Sequence, residues 1–270
     1  MTASTELPPI DPLALREPAG RTFGGRRKVR LGDVDADGRL RLDALTRYTQ
    51  DVSDDDTADA GLDAEPGWVV RSTVVDELVP AGLGEWLSFD TFCTGTGGRW
   101  AERRLSIAGE GGGRYEVATL WVCVDATTGR PHRLTDQFIE LYGEAAAGRR
   151  VSARLVNPTL SPPEARSAPR SWQVRSADHD VYRHVNNAAY WAVVEEWGGA
   201  WSGPRRIRLE YGAGISGVDR IDVVTEARAD GCALWWLPPP SDDGTGESGV
   251  DEPLASALVR PLPPDLYDPT

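Results

Sequence analysis

The sequence is poor in lysine and cysteine and has no long apolar run, and each of these absences excludes a class of protein. Lys28 is the only lysine, and 29 basic residues face 42 acidic ones, which gives a formal net charge of −13. A surface this acidic repels polyphosphate, so nucleic acid is excluded as a main partner. No segment approaches the roughly 20 apolar residues of a membrane span. The N-terminus also lacks the basic and apolar regions of a signal peptide.

The few cysteines and histidines exclude most metal chemistry. Three of each are present, and they form no cluster with the spacing of metal ligands: Cys93, Cys123, Cys232, His132, His179 and His184. An odd number of scattered cysteines argues against a disulfide framework and suits a reducing compartment. The sequence therefore predicts a cytoplasmic protein with no metal and no cofactor.

A repeated motif divides the chain into two halves. Val29-Arg30-x-x-Asp33-x-Asp35 recurs 145 residues later as Val174-Arg175-x-x-Asp178-x-Asp180. After each copy, apolar residues at spacings of three and four predict a helix, and four strand-like segments follow. These segments are 67–79, 85–94, 99–108 and 115–125 in the first half, and 205–211, 220–228, 231–237 and 254–260 in the second. One helix with an antiparallel sheet in each half predicts an α+β fold.

Composition places the boundaries between these halves. Residues 1–22 and 146–169 are rich in proline and polar residues, which predicts a flexible N-terminal arm and a linker. The two folded domains are predicted at 23–145 and 170–262, with a C-terminal tail at 263–270.

The acidic residues of the first half have two interpretations. Asp33, Asp35 and Asp37 followed by Gly38 imitate a calcium loop, but position twelve of such a loop would be Ala44 instead of a bidentate glutamate. A turn that caps the following helix fits better, so Asp35 is expected to be mainly structural. The run Asp54-Asp55-Asp56 is expected to end that helix, where negative charge is unfavourable.

The second copy of the motif carries a family resemblance. It continues through residues 178–190 and contains His184-Val185-Asn186-Asn187. This run resembles the His-Val-Asn-Asn signature that opens the central helix of hotdog-fold thioesterases. With the doubled pattern and the segments 49–52, 67–70 and 121–122, the chain from about residue 23 to residue 260 resembles the acyl-ACP thioesterase family. The resemblance implies two tandem hotdog domains, each with a long central helix wrapped by an antiparallel sheet.

The resemblance also implies an activity. It is the hydrolysis of a thioester that links a fatty acid to acyl carrier protein or to CoA. Asp180 is expected to activate water or to attack, while the helix N-terminus stabilises the oxyanion. The predicted catalytic residues are Asp180, His184 and Tyr182, and the predicted substrate-binding residues are Asn186, Asn187 and Glu196.

Departures from the family pattern keep an alternative open. Tyr182 stands where the family has an asparagine, and Gly214 and Ile215 stand where it has a catalytic Glu-Cys pair. The alternative is a degenerate hotdog that binds acyl groups or a protein partner without efficient turnover. Of Glu195 and Glu196, one is expected to face the domain interface and the other solvent.

Two expectations concern partners. An acidic carrier protein would need a local basic patch on this acidic chain, and three clusters are candidates: Arg26 to Arg30, Arg103-Arg104 and Arg205 to Arg208. Fused hotdogs already contain their own pseudo-dimer, so monomer and homodimer are both open.

Overall fold

Ten antiparallel strands form one sheet in the computed structural model, which describes residues 10–13, 19–62, 67–238, 252–263 and 265–267. The first half contains β1 (Thr22–Lys28), α1 (Leu42–Asp59), β2 (Gly67–Val79), β3 (Trp86–Thr96), β4 (Trp100–Gly109), β5 (Arg114–Val124) and α2 (Asp136–Tyr142). The second half contains β6 (Arg170–Gln173), α3 (Ala189–Trp197), β7 (Arg205–Tyr211), β8 (Arg220–Arg228), β9 (Gly231–Leu237) and β10 (Ala255–Pro261). None of the helices among these residues is long and apolar enough to cross a membrane.

The strand order repeats between the two halves. Across the sheet it is β1-β3-β4-β5-β2-β7-β10-β9-β8-β6. Counted outward from the centre, each half places its second strand first, followed by its fifth, fourth, third and first. The second strands of the two halves, β2 and β7, pair from Ser72 with Glu210 to Glu77 with Arg205. The sheets therefore join edge to edge through a hydrogen-bonded central seam.

Helices α1 and α3 each bury a stripe of apolar side chains against the sheet. In α1, Leu42, Leu45 and Val52 are fully buried, and in α3 Trp191 and Val194 are nearly so. These side chains belong to one hydrophobic core that extends through both halves. Because α1 and α3 also contact each other, the two helices meet over the central seam.

The helices differ from the sequence-based expectation in two places. The central helix of the second half has only nine residues, shorter than the long helix that was predicted, because Gly198 and Gly199 end it and Gly199 has a φ of 93°. The seven-residue helix α2 was missed. Thr135 caps its N-terminus, where the hydroxyl accepts a hydrogen bond from Phe138 N, and the helix buries Phe138 and Tyr142.

The segments predicted to be an arm, a linker and a tail make contacts where they are described. Residues 1–9, 14–18, 264 and 268–270 lie outside the described residues, but Leu13 N donates to Tyr267 Oη over 3.1 Å. Strand β1 begins at Thr22, one residue inside the predicted arm. In the linker, Val156 N and Asn157 N donate to the Glu210 carboxylate over 2.8 and 2.9 Å. The arm and the tail therefore contact each other, and the linker contacts the sheet at β7.

Candidate active site

A cavity of about 570 Å³ lies in the first half, between α1, the sheet and α2. Trp68 and Phe138 form part of its apolar wall, with ring centroids 5.2 Å apart. Val181 and Tyr182 of the second half complete the wall. A cavity of this size and mixed lining is typical of a site for a small organic ligand. The polypeptide segment that carries the predicted catalytic residues therefore borders it.

A buried ionic network supports one wall of this cavity. Asp56 of α1 is 1% exposed, and its carboxylate accepts hydrogen bonds from Tyr142 Oη (2.8 Å), Arg21 Nε (2.9 Å) and Arg103 Nη1 (2.5 Å). Arg103 and Tyr142 also line the cavity. Burial raises the pKa of the neighbouring Cys93 thiol to about 11, so this cysteine stays protonated and is a poor nucleophile at neutral pH.

The predicted catalytic residues lie together in the turn before α3. Asp180 Oδ1 accepts hydrogen bonds from Tyr182 N (2.9 Å) and His184 N (3.1 Å), and Asp180 N donates to His184 O (2.9 Å). The turn requires a left-handed residue, which is Arg183 with a φ of 63°. The turn therefore brings Asp180, Tyr182 and His184 into a few consecutive positions.

The first half contains the same turn. Asp35 Oδ1 accepts from Asp37 N (2.9 Å) and Arg39 N (2.8 Å), and Gly38, with a φ of 78°, takes the left-handed position. The hydrogen bonds of Asp180 are thus structural ones that Asp35 also makes. The two turns differ in chemistry, because Arg39 stands where the second turn has His184.

The imidazole of His184 is exposed next to Gly214. A Cβ atom at position 214 would lie 3.2 Å from His184 Cδ2 and 3.5 Å from Nε2. The backbone at Gly214 therefore lies close against this ring, and the glutamate of the family pattern is absent from this position. Tyr182 is also open to solvent, with 78% of its surface exposed.

The predicted substrate-binding residues separate into different places. Asn186 Oδ1 accepts from Ala188 N over 2.8 Å, which stabilises the entry to α3. Asn187 lines a second, small cavity between the two halves. Glu196 is exposed and lines neither cavity, and its neighbour Glu195 is the residue that faces the interface. The helical rotation thus turns Glu195 inward and leaves Glu196 in solvent.

Glu195 connects the two helices. Its Oε2 accepts a hydrogen bond from Leu42 N over 3.1 Å, so it satisfies a free amide at the N-terminus of α1 from the other half of the chain. Burial raises the pKa of this carboxyl to about 7, with Glu77 and Asp43 adding to the effect and the Leu42 amide and Arg205 opposing it.

The raised pKa of Glu195 predicts a pH-dependent stability. The folded state binds the proton more tightly than the unfolded state, so this contribution is complete below about pH 4.5 and is lost as the pH rises to about 7. The free energy of unfolding of the wild type should fall by about 3 kcal/mol between pH 4 and pH 8 through this carboxyl, and we expect Glu195→Gln to remove that fall. Urea unfolding at a series of pH values measures the free energy of unfolding of each protein. Glu196→Gln is the control and should keep the wild-type slope, whereas parallel profiles for wild type and Glu195→Gln would disprove the assignment.

Ion pairs occupy most of the basic clusters that were candidates for carrier docking. The pairs are Arg26–Glu110, Arg27–Asp55, Arg103–Asp56, Arg104–Glu116, Arg205–Glu77 and Arg206–Asp76. Their charge is therefore largely neutralised within the chain. These ion pairs join β1 and β4 to α1, β4 to β5, and β7 to β2 across the central seam.

Sequence reasoning assigned no role to two residues that line the cavities. Trp121 of β5 lines both the large and the small cavity, and Gln50 of α1 lines the small one. Trp121 and Gln50 were noted only within segments 121–122 and 49–52 of the family resemblance. No local signal distinguished their side chains, because the seam that faces them is formed by strands far apart in the chain.

Comparisons with known proteins agree with this architecture. Residues 20–142 match the profile of the acyl-ACP thioesterase N-terminal domain, and residues 162–234 match that of the C-terminal domain. An uncharacterized protein of Mycobacterium tuberculosis is 32% identical over 222 residues, which cover 81% of this chain and 88% of that protein.

Two solved structures share the fold over most of both chains. The 12:0-ACP thioesterase from Umbellularia californica has a TM-score of 0.69 at 17% identity, covering 90% of this chain and 97% of that one. A Lactobacillus plantarum protein assigned as an oleoyl thioesterase has a TM-score of 0.71 at 19% identity, covering 91% and 98%. With both domain profiles matched in order along the chain, this protein belongs to the acyl-ACP thioesterase family, whose members have the hotdog fold.

Proposed function

We propose that the protein hydrolyses acyl thioesters and releases a fatty acid from acyl carrier protein or from CoA. The observation that carries this proposal is the cavity of about 570 Å³, whose wall includes Val181 and Tyr182. An acyl chain in this cavity has its thioester end near the turn that holds Asp180 and His184.

We also propose that the two halves act as tandem hotdog domains with divided roles. The repeated strand order and the paired seam support this division. The first domain, residues 23–145, supplies the acyl cavity, and the second, residues 170–262, supplies the polar turn. The site is complete only when both domains are present in one chain.

The proposed chemistry uses those side-chain atoms of the turn that make no hydrogen bond within the protein. Asp180 Oδ1 is engaged by two amides, while Oδ2 has no protein partner among the described residues and is free to activate a water molecule or to attack. Overall, a water oxygen bonds to the carbonyl carbon, the carbon–sulfur bond breaks, and the thiol leaves with a proton. His184 is placed to transfer that proton, and the Tyr182 hydroxyl to donate to the substrate.

The cavity assignment predicts an effect on chain-length preference. Ala101 of β4 lines the cavity, whereas Ala108 of the same strand is exposed and does not. We expect Ala101→Phe to slow hydrolysis of a 16-carbon thioester about tenfold more than that of an 8-carbon thioester, because the added phenyl ring takes up space that the end of the longer chain needs. Ala108→Phe is the matched control and should leave the ratio unchanged. An unchanged ratio in Ala101→Phe would place the acyl chain elsewhere.

A second candidate is acyl binding without efficient turnover. It is favoured by Gly214, which leaves the His184 ring without an adjoining carboxylate, and by the exposure of Tyr182. Binding of acyl-CoA by the wild-type protein, with no release of free acid above the buffer rate, would select this candidate.

A further inference from the structure

We infer that the small cavity between the two halves holds the carbonyl oxygen of the bound acyl thioester, with the Trp121 indole N–H as its hydrogen-bond donor. This inference rests on the proposed function and specifies where its reaction centre lies. The cavity measures about 10 Å³, which is room for one water-sized group.

The position of the cavity suits a thioester. Trp121 lines both cavities, so the small one adjoins the large one at this ring. An acyl chain that leaves the large cavity at Trp121 has its first carbon there. Asn187, three residues beyond His184, lines the small cavity from the side of the predicted catalytic turn.

Three hydroxyl groups that line the small cavity already donate hydrogen bonds to backbone carbonyls. The hydroxyl groups of Thr46 and Thr49 donate within α1, to Leu42 O (2.9 Å) and Thr46 O (2.8 Å). The Tyr211 hydroxyl donates to Asn187 O over 3.1 Å. These groups are therefore occupied as donors and do not compete for a ligand.

The Trp121 indole is different. Its Nε1 is buried and has no hydrogen-bond partner among the described residues. An indole N–H only donates, so the missing partner is an acceptor. The side-chain amides of Gln50 and Asn187 line the same cavity and can also donate hydrogen bonds.

An oxygen atom at this point would receive donors from both halves. Trp121 and Gln50 belong to the first half and Asn187 to the second. Fixed donors aimed at a carbonyl oxygen stabilise the negative charge that develops there during hydrolysis. In the free protein one water molecule fits the same space, and the substrate oxygen displaces it.

Trp236 provides a matched control. Its Nε1 is likewise buried without a partner among the described residues, but the side chain lies in the core of the second half and lines neither cavity. Trp121→Phe and Trp236→Phe therefore make the same chemical change, and only the first removes a donor from the proposed subsite.

The test compares the binding of two stable acyl-CoA analogues by calorimetry. In one, CH₂ replaces the thioester sulfur and the carbonyl is kept; in the other, the carbonyl is also CH₂. We expect the wild-type protein and Trp236→Phe to bind the ketone about tenfold more tightly, and Trp121→Phe to bind both about equally. For turnover, Trp121→Phe should lower kcat by about 10- to 100-fold with little change in KM.

The outcomes separate this inference from the proposed function. A ketone preference that survives in Trp121→Phe, or that is absent from the wild type, overturns the inference even if the protein is an active thioesterase. A preference that is lost in Trp121→Phe supports it even if the wild type fails to release free acid. If Trp121→Phe does not fold, Gln50→Met, at a half-buried position of α1 that lines the same cavity, replaces it, and an undiminished preference in that variant overturns the inference.

Discussion

Asp180→Asn is expected to lower kcat for acyl-thioester hydrolysis by about a thousandfold while the protein remains folded. An asparagine Oδ1 accepts the same two hydrogen bonds, from Tyr182 N and His184 N, so the turn survives the change. Only the carboxylate that activates water or attacks is lost. Steady-state release of free thiol measures the rate, and the thermal unfolding midpoint verifies the fold.

Asp35→Asn is the matched control for this change. Asp35 makes the same pair of amide contacts in the first half, with Asp37 N and Arg39 N, but no histidine follows it. It should keep most of the wild-type rate. Loss of activity in Asp35→Asn with retention in Asp180→Asn would move the reaction centre to the first half.

Asp56→Ala is expected to lower the free energy of unfolding by about 3 to 5 kcal/mol. The change leaves the buried guanidinium of Arg103 and the Tyr142 hydroxyl without the carboxylate that they contact. Urea denaturation measures the loss. Asp55→Ala, next to it in sequence, removes an exposed partner of Arg27 and should cost about 1 kcal/mol or less. Equal losses in the two variants would show that the contribution of these ion pairs to the free energy of unfolding does not depend on their burial.

The same acidic run shows a limit of reading the sequence alone. Asp54-Asp55-Asp56 was expected to end the first helix, yet α1 continues to Asp59. Asp55 pairs with Arg27 of β1 and Asp56 with Arg103 of β4, so the negative charge that opposes the helix is neutralised. These partners lie on strands distant in sequence, and no local pattern announces them.

The strands were predicted well because their information is local. The predicted ranges 205–211, 220–228 and 231–237 coincide with β7, β8 and β9. Each is an apolar, β-branched or aromatic run between glycines and turns. The short α2 was missed because seven residues give too little periodicity to recognise.

The site was predictable only in part. The turn around Asp180 was found because it repeats an earlier motif and contains a recognisable run. The inward direction of Glu195 and the unpaired donor of Trp121 arise from packing across the seam. Such features depend on the pairing of β2 with β7, which the sequence does not encode as a local signal.

The most direct measurement is the rate at which the purified wild-type protein releases free acid from a panel of acyl-ACP and acyl-CoA thioesters with 8 to 18 carbon atoms. We expect at least one thioester to be hydrolysed with a kcat/KM in the range of enzymes, about 10⁴ M⁻¹s⁻¹ or higher. Release no faster than in buffer for every member of the panel would contradict the assignment of thioester hydrolysis to this protein.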